Sequence, residues 1–489
     1  MSLAEDMFFL DPHFQGTLQN QIRQIVASAI LSGRFVAGEK LPSSRKLAAH
    51  LGISRITVTL AYHELVADDY ITAQGRSGYY VSETAPSVPL PNLPGETTGD
   101  LVNWDNALRR RFAGGKTVKK EINWRHYPYP FICGQPDPAL FNQAHWRLCA
   151  LQALGKKEFD SLTSDYAGHD DPELIKFIAR HTLPRRGILA RPEQILVTVG
   201  AQNAMWMAAQ LLLDKGSTAV FEDPGYHGIR EVLRHAGCRS IPVQVDDEGL
   251  PPEALPQDLD VLFATPSHHC PTMATLPMKR RYELLRLARE RDFLIIEDDY
   301  EFEMGFLKPP SPALKSLDTD GRVIYVGSFS KSLFPGLRLG YMVASEPLIE
   351  QARALRLATL RHPPGHIQRT TAYFLGLGHY DAMIKRMRAE FQKRRSVMEE
   401  ALAGSDLNVA GRAAFGGSNF WVEAPAHIDT EKLAIQLEKR GVLIETGAPF
   451  FHGENGPKNY FRLAYSSISR EKIPAGVEEI IRAVAQYEA

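Results

Sequence analysis

Cysteine is scarce. The 489 residues hold four, Cys133, Cys149, Cys238 and Cys270. No two stand at C-x-x-C spacing, which excludes a dithiol redox centre of that pattern, and a chain this long needs no disulfide staples. A reducing cytoplasm is the simplest setting. Long hydrophobic runs are also missing: no window approaches the ~18 apolar residues of a membrane span. The start, MSLAEDMFFLDPHFQG, is acidic early and does not read as a signal peptide. Excess charge of either sign is missing too, with 56 Lys+Arg against 57 Asp+Glu and a formal net charge of −1. A nucleic-acid binder usually shows a basic excess, but a sum over the whole chain can hide a local patch. There is no internal repeat and no long low-complexity run. What remains, 44% hydrophobic and 23% charged residues, is an ordinary globular mix. At roughly 150 residues per domain the length suggests about three domains.

The local patch exists. Leu18, Ile22, Ile25, Val26, Ala29 and Ile30 recur at helical spacing, and Gly33 closes the segment. LPSSRKLAAHLGISRITVTLAYHELVADDYI follows. Ser43 or Ser44 caps a short helix with Leu47, Ala48 and Leu51 inward, Gly52 breaks the chain, and Ser54 caps a second helix. That helix buries Val58, Ala61, Tyr62 and Leu65. ITAQGRSGYYVSE then alternates around Gly75 and Gly78 as a hairpin. Residues 1–82 therefore read as a winged helix-turn-helix of α+β type. Within 30–60, five bases (Arg34, Lys40, Arg45, Lys46, Arg55) face one acid, Glu39, a local +4. The second helix would enter the major groove of double-stranded DNA N-terminus first, with Arg55 and Thr57 at or near base edges. Arg45, Ser54 and the wing residue Arg76 would hold phosphate or reach the minor groove.

Residues 83–124 read as a linker, with Pro86, Pro89, Pro91 and Pro94 and then a basic stretch. Residues 125–489 alternate apolar strand candidates with helical stretches. The candidates are 195–199, 219–222, 261–265, 293–297 and 323–326. Such alternation predicts an α/β domain with a mainly parallel sheet, and the ligand site belongs at the strands' carboxyl ends.

After 323–326 comes GSFSKSLFPGLRLGY. Lys331 has the amine for a Schiff base with an aldehyde cofactor, commonly pyridoxal 5'-phosphate. Ser328, Ser330 and Arg338 have donors for phosphate. After 293–296 comes EDDYEFE. Asp298 could face a pyridine nitrogen and Tyr300 the ring's phenolic oxygen. These acids could equally be a solvated strand end or a metal site, but no His lies nearby in sequence, so no metal is expected. Gly200, Ala201 and Gln202 open a helix whose free N–H groups suit a phosphate. Tyr226 could stack on a cofactor ring or simply pack on its own domain. Arg462, beside a strand, could fork onto a carboxylate or sulfonate.

Together these segments resemble the MocR/GabR-type regulators, which fuse a GntR-like winged helix to a fold-type-I aminotransferase-like domain. T-V-G-A-Q, E-D-P-G-Y, T-P-S-H-H, E-D-D-Y, S-F-S-K-S-L-F-P-G-L-R-L-G-Y and F-R-L-A-Y resemble the motifs of that larger domain. The resemblance implies that Lys331 forms the internal aldimine, with Asp298 and Tyr300 on the ring and Tyr226 stacked on it. It implies Gly200, Ala201, Gln202, Ser328, Ser330 and Arg338 on the phosphate, and Arg462 on the ligand's acid group. Tyr166 resembles the tyrosine lent across the dimer interface. Two positions depart from the pattern. Asp170 stands where the family commonly has glycine. Cys270 stands where aminotransferases proper carry Asn, which costs one contact to the ring oxygen and favours sensing over turnover.

The expectation is thus a pyridoxal-phosphate-dependent regulator, a domain-swapped head-to-tail homodimer in the cytoplasm, that binds an operator. It senses an amino acid or aminosulfonate by external aldimine formation. The N-terminal stretch from FFLDPHFQG is similar to regulators of taurine or ectoine use. Two alternatives stay open: an active aminotransferase with an appended DNA-binding domain, and a sensor of pyridoxal phosphate that controls vitamin B6 synthesis.

Overall fold

The computed structural model describes residues 4–86, 102–109, 112–113, 115, 117–118, 121–135, 137–165, 168–309, 311–411 and 415–487. The chain divides into two compact units, Met1–Arg111 and Phe112–Ala489. The division falls inside the stretch expected to be linker.

The first unit holds three helices, α1 (Leu18–Leu31), α2 (Ser44–Leu51) and α3 (Arg55–Ala67), and a hairpin of β1 (Ile71–Ala73) and β2 (Tyr79–Val81). Ser43 is the cap of α2, accepting from the Lys46 N–H, and Ser54 caps α3 by accepting from the Ile56 N–H. Gly52 ends α2 at φ +67°, a left-handed turn that glycine enters without a Cβ penalty. Val58, Ala61, Tyr62 and Leu65 form the buried stripe of α3, as their spacing predicts. In α1 the stripe is narrower than expected. Leu18 is exposed and Ile25 only half-buried, while Gln21 turns inward and donates from Nε2 to the Asp11 carbonyl at 3.1 Å.

The second unit is built on a seven-stranded sheet. Its strands are β3 (Ile195–Thr198), β4 (Thr218–Asp223), β5 (Arg239–Gln244), β6 (Val261–Ala264), β7 (Leu294–Asp299), β8 (Val323–Ser328) and β9 (Gly340–Val343), in the spatial order β3-β9-β8-β7-β6-β4-β5. β9 runs antiparallel to both its neighbours and the remaining pairings are parallel. The five expected strands are all present. β5 and β9 escape a pattern search for physical reasons: RSIPVQ is a largely polar edge strand, and GYMV is short and opens on glycine. Helices α4 (Ala201–Leu212), α5 (His227–Ala236) and α6 (Met278–Arg291) connect strands of this sheet.

A smaller antiparallel sheet follows: β10 (Asn408–Ala410), β11 (Asn419–Glu423), β12 (Glu445–Thr446) and β13 (Tyr460–Ala464), in the order β10-β11-β13-β12. Its register sets Glu445 directly across from Arg462. No helix among the described residues is long and apolar enough to cross a membrane.

Candidate functional site

The parallel strands deliver their carboxyl ends to one cavity of about 270 Å³, whose wall includes Lys331, Asp298, Tyr300, Tyr226 and Arg462. Strand alternation explains the run of acids that ends β7. Successive side chains point to opposite faces. Glu297 accepts from the N–H groups of Leu314 and Lys315, both at 2.8 Å. Asp299 accepts from Arg186 Nε at 2.6 Å and from the Tyr325 hydroxyl at 2.8 Å. Asp298 lies between them on the cavity side. It is buried, and its Oδ1 has no hydrogen-bond partner among the described residues. Burial pushes its carboxyl up to about 7; Asp299 and Glu222 add to that and Lys331 opposes it.

Lys331 stands in the turn after β8, whose neighbours Phe329 and Leu333 are locked in the core. Its Nζ lies 5.9 Å from the centre of the Tyr300 ring. A Cβ on Gly134, which sits at φ +73°, would lie 2.3 Å from that Nζ, so a side chain there would displace the lysine amine. Burial raises the Tyr300 hydroxyl well above its ordinary value, and its oxygen lies 3.9 Å from Met273 Sδ.

The residues expected at the phosphate come from three places. Gly200, at φ +81°, precedes α4, whose first N–H groups have no acceptor within the helix. Ser328 and Ser330 are buried, and Ser330 Oγ is without a partner among the described residues. Arg338 lies against Gly200 and donates from Nη2 to the Val199 carbonyl at 3.4 Å. Ala201 and Gln202 line the cavity, though Gln202 Nε2 is engaged with the Gly228 carbonyl at 3.2 Å. The Tyr226 hydroxyl is pushed up to about 12 by burial first and the Asp298 charge second. Tyr166 lies outside the described residues. Asp170, the departure from the family glycine, is a structural anchor: it accepts from Arg353 at 2.9 Å, from Arg356 at 2.5 Å and from the Val197 N–H at 3.3 Å.

Arg462 projects into the cavity from β13, but it is not unengaged. Glu445 Oε2 accepts from its Nε at 2.9 Å and its Nη2 at 2.5 Å. The guanidinium carbon sits 4.5 Å over the Phe450 ring, and Nη1 lies 3.7 Å from Cys270 Sγ. Burial pushes the Cys270 thiol up to about 12, so it stays a neutral, weak acceptor. Sequence reasoning missed Glu445, Cys133, Gly134, Met273 and Val118. The one available signal was an acid inside the apolar run GVLIETG. Among the described residues no cluster of three or more potential metal ligands occurs.

On the first unit, Arg45, Ser54 and Arg55 are exposed and Thr57 is half-buried. Arg55 Nε donates to Ser44 Oγ at 3.4 Å, which ties the start of α3 to α2. Arg76 belongs to the wing turn Gly75–Ser77, and its side chain lies outside what is described. Sequence reasoning passed over Ile56, 70% exposed beside Arg55.

Comparisons with known proteins agree with both halves. Residues 18–81 match the gntR family of bacterial regulatory proteins, and residues 142–480 match aminotransferase class I and II. The HTH-type transcriptional regulator TauR of Rhodobacter capsulatus is 53% identical over 488 residues, spanning 99% of this chain and 100% of that one. The probable rhizopine catabolism regulatory protein MocR of Rhizobium meliloti is 30% identical, over 80% of this chain and 78% of its own. The chain belongs to the MocR-type transcriptional regulators. This MocR-type chain keeps the aminotransferase fold in its second unit. The α-aminoadipate aminotransferase LysN of Thermus thermophilus superposes with a TM-score of 0.71 at 27% identity, over 78% of this chain and 98% of that one. The kynurenine aminotransferase of Pyrococcus horikoshii gives 0.70 at 25%, over 78% and 97%.

Proposed function

We propose that this regulator holds pyridoxal 5'-phosphate on Lys331 and reads an amino compound that carries one acid group. The observation that carries the reading is the buried Asp298 Oδ1, without a hydrogen-bond partner among the described residues, on the wall of the cavity that Lys331 also lines. A protonated pyridine nitrogen is the partner such a carboxylate lacks. Ser330 Oγ and the start of α4 supply unused donors for a phosphate, with Arg338 as the cation. The cofactor, when bound, supplies an aldehyde that joins primary amines reversibly. Lys331 provides the chain's own amine for it, Tyr300 and Tyr226 wall the ring, and Arg462 holds the effector's acid group. The likeness to TauR and the buried guanidinium of Arg462 together point to aminosulfonates such as taurine as the first compounds to test.

An effector shifts the regulator only if it binds two arrangements of the protein unequally. In this reading the second unit changes with its ligand, and the segment between the units carries the change to α2 and α3. The operator-bound form is a head-to-tail homodimer in the cytoplasm, each protomer offering one reading head and Tyr166 serving the neighbouring site. A second reading, slow half-transamination, is favoured by the intact set of Lys331, Asp298 and Tyr300. Steady turnover with a keto-acid acceptor would support it.

The test is an absorbance titration of purified protein with amino compounds, read beside operator binding. Wild type should change both absorbance and operator affinity with the effector, and Lys331→Ala should lose the absorbance change and the DNA response together. A Lys331→Ala protein with a normal DNA response overturns the reading. An operator response to pyridoxal phosphate alone would instead identify a cofactor sensor.

A further inference from the structure

Arg462 has five N–H groups, and their directions decide what the cavity can accept. Glu445 Oε2 occupies the edge formed by Nε and Nη2, and the Phe450 ring covers one face. What Glu445 leaves for an acid group is the Nη1 end, which lies 3.7 Å from the Cys270 thiol. Glu445 is itself only 3% exposed, and Arg462 donates to its carboxylate. The pair carries no net charge. A single acid group at Nη1 is attracted by a guanidinium in contact and repelled by the carboxylate paired to its Nε–Nη2 edge, so the nearer charge wins.

A second acid group fares differently. Among the described residues, the lysine and arginine side chains on the cavity wall are Lys331, Arg338 and Arg462, with the imidazole of His227 also lining it. With pyridoxal phosphate in place, Lys331 and Arg338 serve the cofactor. A second carboxylate would therefore enter a buried site that offers no further lysine or arginine among the described residues, with Glu445 paired to the guanidinium it must share. Burying an unpaired charge is strongly unfavourable, and water does not screen Glu445 at this depth.

We propose that Glu445 is the specificity-determining residue of this site: by neutralising Arg462 from behind, it admits amino compounds with one acid group and rejects those with two. The inference rests on the proposed role of Arg462 as the acid-group receptor. It assigns Glu445 a role distinct from merely holding Arg462 in place, because holding would affect every acidic ligand alike.

β-Alanine and aspartate make the test, since they differ by one carboxylate. Affinities for both are measured by calorimetry and by cofactor absorbance on the full-length holoprotein, in wild type, Glu445→Gln and Glu445→Asp. Gln is isosteric and keeps an acceptor for Arg462 while removing the charge. Its aspartate-to-β-alanine affinity ratio should rise on the order of tenfold over wild type. Asp keeps the charge on a shorter stem, so it should weaken both ligands and leave the ratio near wild type. A Gln variant with an unchanged ratio, or an Asp variant whose ratio rises like that of Gln, overturns the proposal. Binding heat without any absorbance change would defeat the Lys331 reading while leaving the ratio measurable, so the two failures are separable.

Discussion

Asp298 links the site to pH. An exposed aspartate titrates near ~3.9, whereas burial, and then Asp299 and Glu222, push Asp298 up to about 7 in the folded chain. The folded state thus binds this proton more tightly than the unfolded state does. The corresponding stability is full below about pH 4 and is lost as pH rises through about 7. Asp298→Asn removes that loss. In cofactor-free protein the variant should melt with wild type at pH 4 and above it at pH 8, by on the order of 1–3 kcal/mol. With the cofactor present the order should reverse, because the asparagine cannot pair with a ring cation. Thermal melts at both pH values check this, and identical melts at pH 8 would show that Asp298 is not a strained buried acid. Asp298 was legible in the sequence because it stands in a run of acids that directly follows an apolar stretch. Glu445 was not: its partner is 17 residues away along the chain and meets it only through the β12–β13 register.

The turn that joins β3 to α4 carries the proposed phosphate contact at an element's end. Gly200 sits at φ +81°, where a Cβ would also lie 3.2 Å from Arg338 Nη2. Arginine can shift by a few tenths of an ångström, so the backbone strain dominates, at about 1–2 kcal/mol. Gly200→Ala should therefore cost little overall stability but should reposition the first N–H groups of α4. Pyridoxal phosphate affinity should fall about tenfold, read by dialysis or fluorescence, while the melting of cofactor-free protein falls by only a few degrees. An unchanged affinity would mean that α4 does not receive the phosphate. Most elements were readable in advance for the reason that makes this turn readable: glycine marks a left-handed backbone and apolar runs mark buried strands. β5 and β9 were not, because an edge strand and a four-residue antiparallel insertion owe their form to neighbours that sequence order does not reveal. Val118 is similar, since a valine in a stretch read as linker gives no sign that it walls the cavity.

A net charge of −1 over the chain conceals a small unit that is neutral by count, with seven basic and seven acidic residues in 1–82, and a +4 segment at 30–60 where α2 and the start of α3 lie. Each neutralised phosphate contributes about 0.9 to the slope of log affinity against log salt. Arg45 is exposed on the first turn of α2; if it holds a phosphate, as proposed, its removal should lower that slope without altering sequence preference. The size of the change reveals how many reading heads are engaged. If two protomers engage one operator, Arg45→Ala should flatten the slope by about 2, because each head gives up one phosphate pairing; a single engaged head gives about 1. Ligand-induced change in the large unit can then act by separating two weakly bound heads rather than by altering either one, since linked sites bind far more tightly than each alone. Affinity for promoter DNA across a salt series, for wild type and Arg45→Ala with and without effector, decides the matter. A change near 2 without effector that drops to near 1 with it would show that the effector releases one head. An unaltered slope in the variant would remove Arg45 from the DNA face altogether.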